Sequence, residues 1–225
     1  KYAKNKSVNL LIHNNDYYVK RKIDYWSLKS KNLSIDDIPN LRMIGDYQYN
    51  YAAASILALD TILPESLTNH DHIRLALSKT EIPGRFQYIS KHPDIIVDVA
   101  HNEDAAISLS ENIKKLGKSK INVILGVLAD KDVYSIVEPF SSIVDHWYIG
   151  TINSERGMNS DEIKYRINSI YKKKLSISTY ASITSAFELA KSEQTNDMLL
   201  LVYGSFYTVA EALKCHLYHK KDDAI

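Results

Sequence analysis

The chain has 225 residues, 24% of them charged and 45% hydrophobic, which is the composition of a globular protein rather than a disordered one. Lysine and arginine number 28 against 27 aspartates and glutamates, so the net charge of +1 argues against a nucleic-acid or membrane-surface partner. The single cysteine, Cys215, excludes an internal disulfide and a multi-cysteine metal site. We therefore expect a cytoplasmic protein and, because the first residue is not Met, a piece of a longer chain.

The first third of the chain predicts short strands followed by one apolar helix. Strands are predicted at residues 8–13, 17–20 and 25–28. Residues 34–40 contain a proline and are predicted as a loop, whereas the apolar run at 47–62 predicts a helix that ends before Pro64. These elements are too few for a complete domain. We therefore interpret residues 1–68 as the end of one domain and residues 69–83 as a linker.

From Gly84 to the C-terminus, strand and helix patterns alternate five times. The predicted strands are 94–100, 122–128, 146–151, 175–179 and 198–203, and the predicted helices are 102–116, 133–143, 160–172, 183–192 and 207–218. The strands are apolar on both faces, as in a parallel sheet that is covered by helices on each side. Residues 84–225 are therefore predicted to form a Rossmann-like, doubly wound α/β domain with a mostly parallel sheet.

Polar residues follow four of the predicted strands. They are found at 98–102, 130–132, 153–157 and 204–205. In open α/β sheets, ligands bind beyond the carboxyl ends of the strands. We therefore expect these polar groups to line one edge of the sheet.

The first and last helices of this domain begin with different charges. Glu103 and Asp104 make the first turn of the helix at 102–116 acidic, which suits the helix dipole but repels a phosphate. The helix after Ser205 has no acid in its first turn, so its N–H groups and the Ser205 hydroxyl suit an anion such as a carboxylate. This difference predicts a hydroxyl-bearing ligand group at Asp98 and an anion near Ser205.

Simpler roles explain the same residues when each is taken alone. Helix capping accounts equally well for Asp98, Asn102 and Ser205, and it is the preferred explanation of Asp132. A lone histidine such as His101 is more often structural or exposed than catalytic, and Arg85 alone would be a surface arginine. Asn50 lies in the apolar helix and needs a hydrogen-bond partner if it is buried.

Six segments of the chain form a specific combination. In chain order they are DYQYNYAAASILAL (46–59), IPGRFQ (82–87), IIVDVAHNEDAA (95–106), ILGVLADKD (124–132), ERG (155–157) and LLVYGSFYTVAEAL (200–213). Together they resemble the folylpolyglutamate synthase and dihydrofolate synthase family, the folate branch of the Mur-type ATP-dependent amide ligases. The bacterial bifunctional form of that family is the most similar.

The resemblance implies a domain organisation and a reaction. Residues 1–68 would be the C-terminal end of a P-loop ATPase-type central domain, and residues 84–225 the C-terminal glutamate-ligase domain. ATP would phosphorylate the carboxylate of dihydropteroate or of a folate glutamate tail. The amine of L-glutamate would then attack the acyl phosphate, giving an amide, ADP and phosphate. The implied enzyme is a cytoplasmic monomer that needs neither nucleic acid nor membrane.

The resemblance also implies roles for individual residues. The ATP-binding residues would be Asn50 at the adenine, Arg85 at the phosphates and Asp98 at the ribose hydroxyls. His101 and Ser205 lie where the family places the incoming glutamate. Lys131 and Arg156 would contribute only through their charge.

The chain departs from the family pattern in one large respect. The phosphate-binding loop of the form G-x-x-x-x-G-K-[ST] is absent from this sequence. The resemblance places that loop and the Mg²⁺ ligands upstream of Lys1, so we expect no metal ligand in this chain and no ligase turnover from the chain alone. Two smaller departures are the missing proline in residues 153–157 and Glu103 in place of a proline.

Two other functions stay open on the sequence. A sister Mur-type ligase that extends a peptidoglycan precursor would share the fold and the mechanism. A non-catalytic nucleotide-binding module would explain the missing phosphate-binding loop. An NAD-binding protein is disfavoured, because no G-x-G-x-x-G follows the first strand of the predicted sheet.

Overall fold

The computed structural model describes residues 8–67, 69–171 and 175–222. The chain divides into two compact units, Lys1–Ile82 and Pro83–Ile225, and each has its own hydrophobic core. Over the described part of the chain, no helix is both long enough and apolar enough to cross a membrane.

The first unit contains a three-stranded antiparallel sheet and two α-helices. Its strands are β1 (Tyr17–Arg21), β2 (Tyr25–Ser30) and β3 (Ser34–Pro39), paired in that order. Its helices are α1 (Asp46–Ile62) and α2 (His70–Lys79), with a 3-10 turn at Pro64–Leu67 between them. The core contains Trp26, Leu28, Ile35 and Ile38 from the sheet and Ala53 and Ile56 from α1.

Three sequence predictions for this unit differ from the structure. Residues 34–40 were expected as a loop, but most of them form β3, because Ile35 and Ile38 are fully buried against β2 across an irregular register. Residues 8–13 were expected in a strand, but residues 8–12 are outside any strand and exposed, and His13 forms only an isolated bridge. Residues 69–83, expected as a linker, contain α2, whose Ile73 belongs to the first core.

The second unit is built on a six-stranded sheet with the order β4-β5-β9-β6-β7-β8. The strands are β4 (Gln87–Lys91), β5 (Asp94–Val97), β6 (Lys120–Leu125), β7 (His146–Gly150), β8 (Ile177–Tyr180) and β9 (Met198–Tyr203). The edge strand β4 is antiparallel to β5, and the other neighbouring pairs are parallel. The carboxyl ends of β5, β9 and β6 therefore lie side by side.

Helices cover both faces of this sheet. They are α3 (Glu103–Lys115), α4 (Val133–Val137), α5 (Ser160–Ile170), α6 (Ile183–Ser192) and α7 (Phe206–Asp222). On β9, Leu199 and Leu201 join the core formed with α3, α4 and α5, whereas Leu200 and Val202 join the core formed with α6 and α7. Successive strand residues point to opposite faces. The predicted doubly wound α/β fold is therefore confirmed.

Two details of the sheet differ from the sequence prediction, and both shape its edge. The antiparallel strand β4 was not predicted, because its residues are only partly buried and show no apolar alternation. Strands β5 and β6 end at Val97 and Leu125, three residues earlier than expected. The residues that follow each strand leave the sheet as loops and carry the polar groups of the candidate site.

Candidate functional site

The candidate site lies where three neighbouring strands of the second unit end. We call residues 98–102, 126–132 and 204–205 the carboxyl rim, because they follow β5, β6 and β9. Backbone hydrogen bonds tie the first and last of these segments together. The Asp98 N–H donates to the Val202 carbonyl at 2.9 Å, and the Gly204 N–H donates to the Ala100 carbonyl at 3.0 Å. The predicted meeting of strand ends at one edge is therefore observed for the segments after β5 and β9.

Asp98 holds the loop that carries Arg85 against the end of β5. The Asp98 side chain is 4% exposed, and its Oδ2 atom accepts the Phe86 N–H at 2.8 Å. Its Oδ1 atom accepts the Ala100 N–H at 2.8 Å. The Gly84 carbonyl also accepts the Val99 N–H at 2.8 Å. Arg85 is therefore fixed between two residues that are hydrogen-bonded to the segment after β5.

The charge of Asp98 is linked to the same loop. Burial raises the pKa of the Asp98 carboxyl, and the N–H groups of Phe86 and Ala100 and the charge of Arg85 oppose that rise. Each carboxylate oxygen accepts one backbone N–H and keeps a further lone pair for a ligand hydroxyl. Asp98 does not cap α3. That role belongs to Asn102, whose Oδ1 atom accepts the Ala105 N–H at 3.0 Å.

His101 lies on the same rim, beside the start of α7. Its Nδ1 atom is 2.9 Å from the Val99 carbonyl oxygen, which can only accept, so Nδ1 carries the ring proton. In the neutral imidazole the Nε2 atom is then an acceptor. The ring centroid lies 6.0 Å from that of Phe206, the first residue of α7, and the imidazole is partly exposed.

Ser205 caps α7 and directs its hydroxyl inward. Its Oγ atom accepts the Thr208 N–H at 3.0 Å and lies 2.8 Å from Thr208 Oγ1, which itself donates to the Gly126 carbonyl. Because the Thr208 proton is used in that bond, Ser205 donates to Thr208. The side chain is 1% exposed, so the capping explanation is confirmed. An anion at this helix start would meet backbone N–H groups rather than the Ser205 hydroxyl.

Thr208 and Gly126 were not singled out from the sequence. Thr208 is fully buried and links the start of α7 to Gly126 after β6, with an Oγ1–O distance of 2.9 Å. A Cβ atom on Gly204, whose φ is +115°, would lie 2.4 Å from the Gly126 carbonyl oxygen. The only sequence feature that indicates the role of Thr208 is its position three residues after Ser205 at a helix start, a spacing typical of helix caps.

The basic residues near the end of β6 are bound to an acidic neighbour. Asp130 accepts a hydrogen bond from Arg156 Nη2 at 2.9 Å and lies 3.2 Å from Lys131 Nζ. The Arg156 guanidinium, together with Lys131, lowers the pKa of Asp130. Asp132 caps α4 by accepting the Tyr134 N–H at 3.0 Å, as predicted. Arg156 thus links its loop to the loop after β6, whereas Lys131 pairs with a neighbour in its own loop.

Asn50 belongs to the first unit. It lies in α1 and is exposed, so it needs no internal hydrogen-bond partner. Among the described residues of either unit, no three His, Cys, Asp or Glu side chains are grouped so that they could hold a metal ion.

The chain belongs to the Mur ligase family. Residues 84–206 match the family described as Mur ligase, glutamate ligase domain, and this span is more than half of the 225 residues. The match begins at Gly84, one residue after the start of the second unit, and ends at the first residue of α7.

Within that family the chain is similar to proteins named dihydrofolate synthase/folylpolyglutamate synthase. It is 33% identical over 216 residues to the protein from Buchnera aphidicola subsp. Baizongia pistaciae, an alignment that covers 94% of this chain and 48% of that protein. It is 31% identical over 143 residues to the protein from Escherichia coli K12, with 63% and 32% covered. The chain spans about half the length of the curated relatives it matches.

Solved structures share the fold. Escherichia coli FolC in complex with DHPP and ADP superimposes with a TM-score of 0.83 at 25% identity, covering 97% of this chain and 50% of that chain. Mycobacterium tuberculosis folylpolyglutamate synthase complexed with ADP gives a TM-score of 0.84 at 17% identity, covering 95% and 50%. At that identity, the second likeness concerns the fold alone.

Proposed function

We propose that this chain is part of an ATP-dependent amide ligase that adds L-glutamate to dihydropteroate or to folate polyglutamate tails through an acyl phosphate. The observation that carries the proposal is the loop of Arg85, which is hydrogen-bonded to Asp98 on the carboxyl rim. It is supported by the relatives named dihydrofolate synthase/folylpolyglutamate synthase. Those names favour a folate substrate over a peptidoglycan precursor.

In this proposal Arg85 and Asp98 bind the nucleotide from two segments that are hydrogen-bonded to each other. A guanidinium presents several N–H donors in a rigid fork, which matches the oxygens of a phosphate. Asp98 keeps the Arg85 loop in place and uses its remaining acceptor sites for the ribose hydroxyls. Burial of Asp98 removes competing water, so each of its hydrogen bonds is stronger than at an exposed site.

Asn50 is proposed as the adenine contact from the first unit, because an exposed amide both donates and accepts. We also propose that the first unit, Lys1–Ile82, is the end of the central ATP-binding domain, and that residues 84–225 are the glutamate-ligase domain.

His101 and the start of α7 are proposed to position L-glutamate. The Nε2 atom of His101 can accept an N–H from the glutamate amine. The first N–H groups of a helix lack intrahelical partners and attract a carboxylate, so the start of α7 suits a glutamate carboxylate. Ser205 contributes by holding that helix start in place rather than by offering its hydroxyl.

ATP-dependent ligation also requires Mg²⁺ with the nucleotide. We assign no residue of this chain to the metal, because the described residues hold no cluster of suitable ligands. The proposal therefore derives no step from the metal. We propose that the enzyme acts as a monomer in the cytoplasm, where ATP is available. It needs neither nucleic acid nor a membrane.

The proposal is tested with a protein that spans the full length of the relatives. ADP release and product mass are measured with ATP, L-glutamate and, in turn, dihydropteroate, a reduced folate or a UDP-muramyl precursor. We expect glutamylated product from the pteroate or the folate, and no turnover from the 225-residue chain alone. Turnover restricted to the UDP-muramyl precursor, or no ATP-dependent product at all, would contradict the proposal.

A further inference from the structure

A second cleft opens at the amino end of the same sheet, away from the carboxyl rim. Its walls include Lys120 and His146, which are the first residues of β6 and β7, and Glu193, which directly follows α6. We call it the amino-end cleft. Its volume is about 510 Å³, within the range of small-molecule sites.

The floor of the amino-end cleft is polar where a buried sheet is normally apolar. Asn122 on β6 is opposite His146 on β7, and Tyr148 on β7 is opposite Ser178 on β8. Asn122 lies two residues before Ile124, which belongs to the core formed with α6 and α7. Residues two apart share a strand face, so these polar side chains face the α6 layer.

Asn122 is buried without a complete set of hydrogen bonds. Its side chain is 3% exposed, and its Oδ1 atom has no hydrogen-bond partner within the described residues. An unpaired buried polar atom destabilises a fold, and such atoms in native proteins call for a reason. A ligand that donates to Asn122 would supply the missing partner.

The walls around Asn122 are held in position by their own contacts. The ring nitrogens of His146 lie 2.8 Å from Ser176 Oγ and 3.0 Å from Ser178 Oγ. The Tyr148 hydroxyl donates to Glu193, and the Tyr148 ring stacks on that of Tyr180 with centroids 5.9 Å apart. The cleft is thus largely formed before any ligand binds, and it offers a stacking surface at Tyr180.

Charge in the amino-end cleft excludes a phosphorylated ligand. Asp145 and Glu193 oppose one lysine, Lys120. Burial lowers the pKa of His146 below its ordinary value, which disfavours a positive charge on the imidazole. Two carboxylates against one ammonium repel a polyanion and favour a neutral molecule that carries N–H donors.

We propose that the amino-end cleft binds an uncharged planar nitrogen heterocycle with an exocyclic amino group, of the nucleobase or nucleoside class. An amide side chain pairs with the amino group and the adjacent ring nitrogen of such a heterocycle, as asparagine does with adenine. Glu193 can only accept, so it selects the amino group over a carbonyl. The ring stacks against Tyr180. This site is separate from the proposed ATP site and does not depend on it.

The test is a calorimetric titration of the 225-residue chain with adenosine and with inosine, which carries an oxo group where adenosine carries the amino group. We expect adenosine to bind with a Kd below about 1 mM and inosine to bind at least about tenfold more weakly. Asn122→Leu removes the unpaired amide, so it should weaken adenosine binding at least about tenfold while raising the unfolding midpoint.

Asn112→Leu is the matched control, because Asn112 is a buried asparagine of α3 that does not line the amino-end cleft. Adenosine affinity should be unchanged in Asn112→Leu if the nucleoside occupies the amino-end cleft. The proposal is overturned if adenosine does not bind, if inosine binds equally well, or if Asn112→Leu rather than Asn122→Leu removes binding.

Discussion

The Oδ2 atom of Asp98 accepts the Phe86 N–H at 2.8 Å, and this bond joins the residue after β5 to a loop twelve positions earlier in the chain. Arg85, the neighbour of Phe86, therefore depends on a buried carboxylate for its position. Because the carboxylate is 4% exposed, its ionisation is sensitive to how well the loop is hydrogen-bonded. The position of a cationic side chain and the charge of Asp98 are thus coupled.

The first prediction concerns the pH dependence of stability. Burial raises the pKa of Asp98 in the folded state, so the native protein binds more protons than the unfolded chain just above the ordinary aspartate pKa of about 3.9. The contribution of Asp98 to stability is fully present below that value and is lost as pH rises through the raised pKa. We expect the free energy of unfolding of the wild type, relative to Asp98→Asn, to fall across that window.

Urea unfolding at a series of pH values measures this difference, followed by fluorescence in a Trp26→Phe background so that only Trp147 of the second unit reports. Subtracting the Asp98→Asn curve removes the contribution of every other titrating group. A difference that is flat or that rises with pH would show that the Asp98 pKa is not raised.

The second prediction concerns Arg85 and ATP. Arg85→Ala should weaken ATP binding by the full-length protein at least about tenfold, since a charge-assisted hydrogen bond contributes about 1.5 to 3 kcal/mol. Arg85→Lys should recover only part of that loss, because an ammonium lacks the guanidinium fork.

Arg166→Ala is a suitable control for Arg85→Ala. Arg166 is exposed on α5 and pairs with Glu162 on the same helix. The nucleotide Kd is measured for all four proteins, with the unfolding midpoint as a check on the fold. Equal affinity in Arg85→Ala and Arg166→Ala would remove Arg85 from the nucleotide site.

Local pattern predicted most of the second unit, because its strands are buried on both faces and its helices are amphipathic. The polar residues at the strand ends were predicted to meet at one edge by a general rule of α/β sheets. The bond between Asp98 and Phe86 was not predictable in the same way. It exists because β4 returns antiparallel to β5, and the partly buried β4 has no pattern that would indicate a strand.

Contacts between residues distant in sequence also explain why β3 and the role of Thr208 were not predicted. In β3, Ile35 and Ile38 are three residues apart and both face the core, because the register shifts against β2. That spacing does not resemble the two-residue alternation of a regular strand. Thr208 was missed because its partner Gly126 is 82 positions away in the chain.

The third prediction concerns the link between α7 and β6. Thr208→Val keeps the shape of the side chain but removes the donor to the Gly126 carbonyl and the acceptor for Ser205. Leaving these buried groups unpaired should lower the free energy of unfolding by about 1 to 3 kcal/mol. Thr208→Ser keeps the hydroxyl and removes only a buried methyl group. Its free energy of unfolding should therefore fall by less, about 1 kcal/mol. Chemical denaturation of the three proteins gives the comparison, and equal losses for Val and Ser would show that packing rather than hydrogen bonding matters at this position.

The last prediction concerns the loop that carries Arg156. A Cβ atom on Gly157 would lie 1.9 Å from the Ile152 carbonyl oxygen, which is backbone and has no flexible end that can move away. Gly157→Ala should therefore displace the loop and lower the free energy of unfolding by about 3 kcal/mol or more. Gly117→Ala is the matched control: its φ is +63° but its Cβ would meet nothing within 4 Å, so only the backbone conformation is penalised, by about 1 to 2 kcal/mol. Both variants are compared with the wild type by urea denaturation. If Gly157→Ala lowers the free energy of unfolding no more than Gly117→Ala does, the loop accommodates the added Cβ atom, and the close approach of Gly157 to Ile152 does not matter for stability.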